Sequence, residues 1–382
     1  RINVIIVDQD GGVYSELLTQ SIASTRTLKW QIRPNITNPE DYVHDGHAWA
    51  AVVIPSGYSQ NITNSLQGDP YQNPFTFIVD EGRSLSTATS IRTILFRTVT
   101  TIGNNYSIAL IQSNPAIASV APANLIVRPF YYVENNLSPV RSSGQEVSAG
   151  LGLLYLFLIA VALVNASLSA WGPLMTRVKV YQTMIAKIVQ LLLLTAIVAI
   201  MITGIILIYG FSPVHGWAIY WLFLWLIFLT FCTIVSSFIV TLGAFSTFAI
   251  PIFLFLNYTA SGGAVPTALS NGFYKIGYGL PMFHAVQGGR YIIFNSVNRI
   301  AINIGVLLAW SGACLLFVTA VQIFKLYKVI TKAPDEVQTA FEDVGQPSYA
   351  SSDAIRAEAR RPSREMYHHD CRRQDNLQNT GA

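Results

Sequence analysis

Ile185-Ala-Lys-Ile-Val-Gln-Leu-Leu-Leu-Leu-Thr-Ala-Ile-Val-Ala-Ile-Met-Ile-Thr-Gly-Ile-Ile-Leu-Ile-Tyr209 runs for 25 residues with a single charge, Lys187, and no carboxylate. Roughly 20 apolar residues in a helix cover the ~30 Å hydrocarbon layer of a bilayer. Lipid offers no partner to an open backbone, so a helix is the conformation this stretch must take there. Four more apolar stretches lie on either side: residues 147–169, 217–241, 248–264 and 301–324. Trp171, Trp217, Tyr220, Trp221 and Tyr327 stand near their ends, where interfacial aromatics belong. The reading is an α-helical polytopic membrane domain of five spans.

The charges divide the chain in the same way. Residues 147–330 hold 8 Lys/Arg and no Asp or Glu. Residues 1–146 hold 9 Lys/Arg and 11 Asp/Glu, and residues 331–382 hold 7 and 9. A run of 184 residues without a carboxylate is foreign to water-soluble folds, in which about a quarter of residues are charged. The net charge of +4 arises in this membrane section, so it does not indicate a nucleic-acid partner. The expected partner is the lipid bilayer.

Residues 1–146 read as a small α/β domain. The β-branched run 2–7 ends at the turn Asp8-Gln-Asp-Gly-Gly12 and predicts a strand. A helix follows over 13–24, a short strand over 30–33, and a helix from Pro39 with acidic residues in its first turn. Residues 50–54 predict a strand stopped by Pro55-Ser-Gly57, 57–66 a helix, 75–79 a strand and 84–112 a long helix. Residues 115–139 are rich in Pro and Asn and read as the return to the membrane. The polar tail, 331–382, is low in apolar residues and reads as disordered; Ser363 beside arginines is a candidate phosphorylation site.

Basic residues orient the chain. Arg177, Lys179 and Lys187 flank the first connection, and Lys325, Lys328 and Lys332 follow the last span. Placing both in the cytosol puts residues 1–146 on the extracellular or lumenal side, in a plasma membrane or an endomembrane, and the tail inside. Lys275, Arg290 and Arg299 are the exception, in a long apolar loop over 262–298 expected to re-enter the membrane or lie along it. Candidate glycosylation sequons at Asn35, Asn61, Asn105 and Asn136 agree with an outer location, although a polar Asn-rich surface explains them equally. Two more, at Asn165 and Asn257, fall inside apolar stretches. Because the first residue is Arg1, the outer placement of residues 1–146 implies a helix ahead of it, six in all.

The order of a helix, an α/β ectodomain and five further helices resembles ABC-2-type permeases. More closely, the chain resembles the fungal nitrosoguanidine-resistance membrane protein family, related to bacterial phage-infection-type proteins. The residues that carry the resemblance are Val4-Ile-Ile-Val-Asp-Gln-Asp-Gly-Gly12, Ala51-Val-Val-Ile-Pro55, Ala260-Ser-Gly-Gly-Ala-Val-Pro266, Phe273-Tyr-Lys-Ile-Gly-Tyr-Gly-Leu-Pro-Met-Phe-His284, Gln287-Gly-Gly-Arg290 and Gly305-Val-Leu-Leu-Ala-Trp310. The resemblance implies a role in drug or mutagen resistance and in the export of amphiphilic compounds or lipids. A non-transporting scaffold or regulator acting through ectodomain and tail is the alternative.

The sequence has no Gly-x-x-x-x-Gly-Lys-Ser/Thr, so this chain carries no P-loop. An ABC-like permease would need a separate ATPase subunit, and the connection around Arg177–Lys187 is the place for it to dock, unless those bases only set topology. Proton pumps keep a carboxylate inside the membrane, and residues 147–330 have none. Gly262, Gly263 and Pro266 are candidate gate or kink residues, or a plain helix end. His284, Gln287 and Arg290 are candidate contacts for lipid phosphate or substrate, or side chains reaching the interface. His44 and His47 are three apart beside Asp41 and Asp45, too few ligands for a metal site. Asp8 and Asp10 at a strand end are a binding turn or simply a turn. Cys232 and Cys314 lie in apolar stretches and Cys371 in the tail, leaving the ectodomain without a disulfide. No nucleophile–base set occurs in a catalytic context, so the expectation is a protein that is not an enzyme and needs no cofactor; homo-oligomerisation remains open.

Overall fold

The structure, a computed structural model, describes residues 2–70, 74–141, 143–171, 180–208, 210–263, 265–267 and 269–331. Arg177, Lys179, Lys332, Ser363, Cys371 and the tail lie outside the described residues.

The N-terminal domain follows the alternation of its sequence. β1 (Asn3–Asp8), α1 (Val13–Ser24), β2 (Lys29–Ile32), α2 (Pro39–His44), β3 (Ala50–Ile54), α3 (Tyr58–Leu66) and β4 (Phe75–Val79) succeed one another. They are followed by α4 (Leu85–Ser113), the short turns α5 (Ile117–Val120) and α6 (Ala123–Val127), and β5 (Tyr132–Asn136). The strands form one sheet in the order β2-β1-β3-β4-β5, all neighbours parallel except β3 and β4. Val4 to Val7 are buried without interruption, as a strand covered on both faces should be. Val4, Ile6, Val52 and Phe77 face one way, against Leu18 and Ile22 of α1, Ile62 of α3 and Ile91, Leu95 and Val99 of α4. Ile5, Val7, Ala51 and Ile78 face the other way, toward Val43 of α2. The period of two along each strand thus feeds two apolar layers. β5 corrects the reading of 115–139 as a mere connection: Tyr132 to Asn136 pair in register with Phe75 to Val79. Arg92 of α4 holds the new edge, with Nε donating to Glu134 Oε2 at 2.8 Å and Nη1 3.5 Å from Glu81 Oε1.

The membrane domain opens with α7 (Ser143–Ala149) and continues through α8 (Leu151–Trp171), α9 (Val180–Ile208), α10 (Trp217–Leu242), α11 (Ser246–Ala260), α12 (Pro281–Phe294) and α13 (Ile300–Thr331). Among the described residues, four helical stretches are long and apolar enough to cross a membrane: Leu151–Trp171, Gln182–Ile208, Trp217–Ala260 and Ile300–Lys325. The third has 44 residues, which at 1.5 Å per residue would be about 66 Å, twice a hydrocarbon core. It does not run straight. Gly243 adopts φ +56°, a single 3-10 turn follows over Gly243–Phe245, and α11 folds back on α10 with the Phe238 and Phe253 rings 5.1 Å apart.

α10 is the spine of the bundle. Its Phe223, Ile227, Phe228 and Phe231 are buried among α8, α12 and α13. α9 is the opposite case. Leu193, Ile197, Met201 and Ile205 are exposed, and its buried residues include Thr195, Ala199 and Thr203, four apart on one face. Small residues that admit a close neighbour are the usual contact between helices in lipid; Trp225 of α10 donates its indole N–H to Thr195 Oγ1 at 3.0 Å.

Candidate functional site

Several polar residues of the membrane domain gather near the end of α11. Ala260 ends the helix, and Gly262 follows at φ +74°, the left-handed residue that closes many helix C-termini. Ser261 Oγ donates to Tyr258 O at 2.7 Å and accepts from Gly263 N at 3.1 Å. Pro266 is buried in the next turn, its carbonyl accepting from Leu269 N. The gate or kink candidates Gly262, Gly263 and Pro266 therefore lie in a capped helix end and the turn after it.

α12 then places side chains against that end. Pro281 starts it, at the position where a missing N–H costs nothing, and Asn295 at φ 56° closes it. Gly288 permits a near approach to α10: a Cβ there would stand 2.3 Å from the Phe223 ring. Arg290, 7% exposed, donates from Nη2 to Gly263 O at 3.1 Å. A cation beside a helix C-terminus meets the negative end of its dipole. Two candidate groups 27 residues apart in sequence are thus one contact.

His284, 6% exposed, joins α12 to α13. Its Nδ1 lies 2.9 Å from the Asn303 carboxamide and its Nε2 3.0 Å from Tyr278 O. A carbonyl only accepts, so Nε2 carries the ring proton. Nδ1 then needs a donor, and turning the Asn303 amide so that Nδ2 faces the ring supplies one. The same turn gives a partner to Asn303 Nδ2, otherwise buried without one, and passes the unpartnered position to Oδ1. Asn257 of α11, fully buried, accepts from Met282 N at 3.3 Å. Gln287 is half-buried and stands outside these contacts. His284 and Arg290 are buried among the packed helices.

Residues 1–316 match the family described as "Protein of unknown function (DUF3533)". The chain belongs to this family. No curated protein matches it. A solved domain described as part of an ABC type-2 transporter from Thermotoga maritima MSB8 is similar over 35% of this chain and 84% of its own, at 18% identity and a TM-score of 0.26.

In this DUF3533 chain the N-terminal domain meets the bundle through the end of α12 and the α12–α13 loop. A Cβ on Gly82 would stand 2.5 Å from Phe294 Cβ, and one on Gly46 3.0 Å from Val297. Arg83 stacks over Trp49, 3.8 Å from the ring centroid, and donates to Ala48 O at 2.9 Å. Burial lowers its pKa to about 10, against the attraction of Asp80 and with the repulsion of Arg299. Asp80 is 1% exposed and accepts from Arg83 N. Burial holds its carboxyl above the ordinary value, although Ser138 and Arg83 oppose the rise. Asp80 and Arg83 were not legible as a junction in the sequence. Their signal is an acid and a base three residues apart after a strand, without meaning until the loop over 295–299 arrives.

The remaining candidates of the N-terminal domain have structural surroundings. Asp8 Oδ1 accepts from the backbone N–H of Asp10 and Gly11. Asp10 Oδ2 accepts from Gly12 N and Ser59 N, tying the β1–α1 turn to α3. Burial raises the Asp10 carboxyl, but the bonds from Ser59, Ser15 and Gly12 outweigh it and leave it below its usual value. His47 packs on Tyr42, and among the described residues no three metal-ligating side chains gather. Asn35 and Asn105 are exposed and Asn61 is half-buried. Asn136 donates to Glu81 Oε2 at 2.7 Å.

Proposed function

We propose that this protein is a permease-like membrane protein that binds and translocates amphiphilic compounds or lipids. The observation that carries the reading is the buried polar layer of Arg290, His284, Asn257 and Asn303 inside a section that has no carboxylate at all. Polar and cationic side chains are costly within a bilayer and tend to mark a ligand pathway. A solute route built only of amides, imidazole and guanidinium favours neutral or anionic polar heads. Four membrane-length apolar helices support the membrane setting.

The finer reading takes α10 and α11 as two crossings, five in all, with the ectodomain on the outer side and the tail in the cytosol. The kinship to nitrosoguanidine-resistance proteins and a part in drug resistance belong to it as well. Energy would come from a separate ATPase, since the chain has no P-loop.

The test is efflux of a fluorescent phospholipid from vesicles containing the purified chain, alone and with ATPase partners captured from the native membrane. Arg290→Ala should cut efflux severalfold while the protein stays monodisperse in detergent. Unchanged efflux would remove the polar layer from the pathway, and no efflux under any condition would favour the scaffold reading.

A further inference from the structure

At the end of the bundle away from the ectodomain, α8, α9, α10 and α13 enclose a cavity of about 100 Å³. Its walls are mostly apolar, including Leu163, Leu191, Val240 and Leu315, with Ser236, Gln322, Trp171 and Lys187 among the lining residues. Two lysines with described side chains stand at this end. Lys325 is already committed, with Nζ donating to Val240 O at 2.8 Å, one of the last carbonyls of α10. Lys187 differs. Its ammonium lies 5.9 Å from the Trp171 ring centroid, and no carboxylate exists anywhere in residues 147–330 to neutralise it. The nearby Gln190 carboxamide oxygen is taken by the Trp171 indole N–H.

We propose that this cavity binds one anionic lipid, with its headgroup on Lys187 and the first part of an acyl chain in the groove. Charge complementarity selects the sign: among the described residues the site has a cation and no carboxylate beside it. The volume selects a partly enclosed lipid over a drug-sized solute. Drug-sized ligands fill pockets of roughly 300–1,000 Å³, whereas a lipid needs only part of its length enclosed while the rest stays in the bilayer. Basic residues at the cytoplasmic face of membrane proteins recruit anionic lipids by the same attraction. The inference deepens the permease reading by naming a ligand class, and its lipid would enter from the leaflet opposite the ectodomain.

Native mass spectrometry of the full chain, purified in detergent, tests it with dioleoyl-phosphatidic acid and dioleoyl-phosphatidylcholine, which share their tails. The anionic lipid should be retained about tenfold better, the size of one charge-assisted contact. Lys187→Gln should erase that preference, and Lys187→Arg should keep it. Phosphatidylcholine measured in the same preparation corrects for any loss of folded protein. Equal retention of the two lipids, a preference that survives Lys187→Gln, or displacement by millimolar inorganic phosphate would overturn the proposal. Failure of vesicle efflux leaves these retention ratios unaffected, so the site and the transport reading fail separately.

Discussion

The sheet domain and the helical bundle handle buried polar groups in opposite ways. In the sheet domain, acids are abundant and the described ones serve the fold: Asp8 and Asp10 organise a turn, Glu134 pins β5, and Asp80 sits beneath the junction with the bundle. In residues 147–330 acids are absent, and the polar work falls to amides, a histidine, an arginine and backbone carbonyls. The difference follows from the solvent. Water lets an ionised carboxylate keep part of its hydration at a strand end, whereas a lone carboxylate in hydrocarbon has no such recourse. Apolar burial also counts differently, because lipid tails are as apolar as a leucine side chain and reward helix contact through packing alone.

That contrast gives the largest expected effect. Phe77 and Phe228 are both fully buried, one in the sheet and one in α10. Phe77→Ala should cost about 3–5 kcal/mol, the transfer and cavity terms together. Phe228→Ala should cost less, because part of the transfer term is missing in lipid. Thermal unfolding of the full chain in detergent, followed by circular dichroism, compares them; equal losses would break the distinction between the two solvents.

A second pair sharpens the packing side of the comparison. Gly288 and Gly289 are neighbours on α12, yet a Cβ on Gly288 would strike Phe223 and one on Gly289 would meet nothing within 4 Å. Gly288→Ala should lose about 1–3 kcal/mol by overpacking. Gly289→Ala should be neutral or gain up to about 1 kcal/mol from helix propensity. Similar melting temperatures for the two variants would mean that α12 is not held against α10.

Within the sheet domain, two acids should give opposite pH responses. Asp80 is raised by burial, so the folded state holds a proton that the unfolded chain releases above about pH 3.8. Its contribution is fully present below that pH and is lost as pH rises through the higher folded value. Asp10 is lowered, so its contribution is present above about pH 3.8 and is lost as pH falls through the lower folded value. Asp80→Asn should flatten the first limb and Asp10→Asn the second in melting temperature against pH. If Asp80→Asn leaves the rising-pH limb intact, Asp80 is not the group that holds the proton.

The smallest effect is expected at the edge of the sheet. Arg92 is partly exposed, and its contacts with Glu134 and Glu81 should be worth about 0–1 kcal/mol. Arg92→Ala should therefore lower the melting temperature slightly, and less so at high salt. A large, salt-insensitive loss would show that the pair holds β5 in place as a buried group would.

The strands and helices up to α4 were legible because turn signals bracket each of them, as Asp8-Gln-Asp-Gly-Gly12 brackets β1. β5 was not: Tyr-Val-Glu-Asn-Asn has weak strand character, and its order comes from pairing with Phe75 to Val79. α12 was hidden in an apolar loop because Pro281, Gly288 and Gly289 argue against a helix locally, while packing on α10 and α13 outweighs that preference. The sequence suggested Arg290 and His284 as contacts at the membrane surface and Gly262–Gly263 as a kink. It gave no sign that Arg290 would reach Gly263 or that His284 would reach Asn303.

The amino-acid sequence alone determined the solvent of each region, because the presence or absence of carboxylates and the length of apolar runs are additive properties of the chain. Only the tertiary structure decided which polar groups share a site. Helix rotation, the turn at Gly243 and the close approach at Gly288 set those meetings, and they depend on shape complementarity between segments that hydropathy treats as interchangeable.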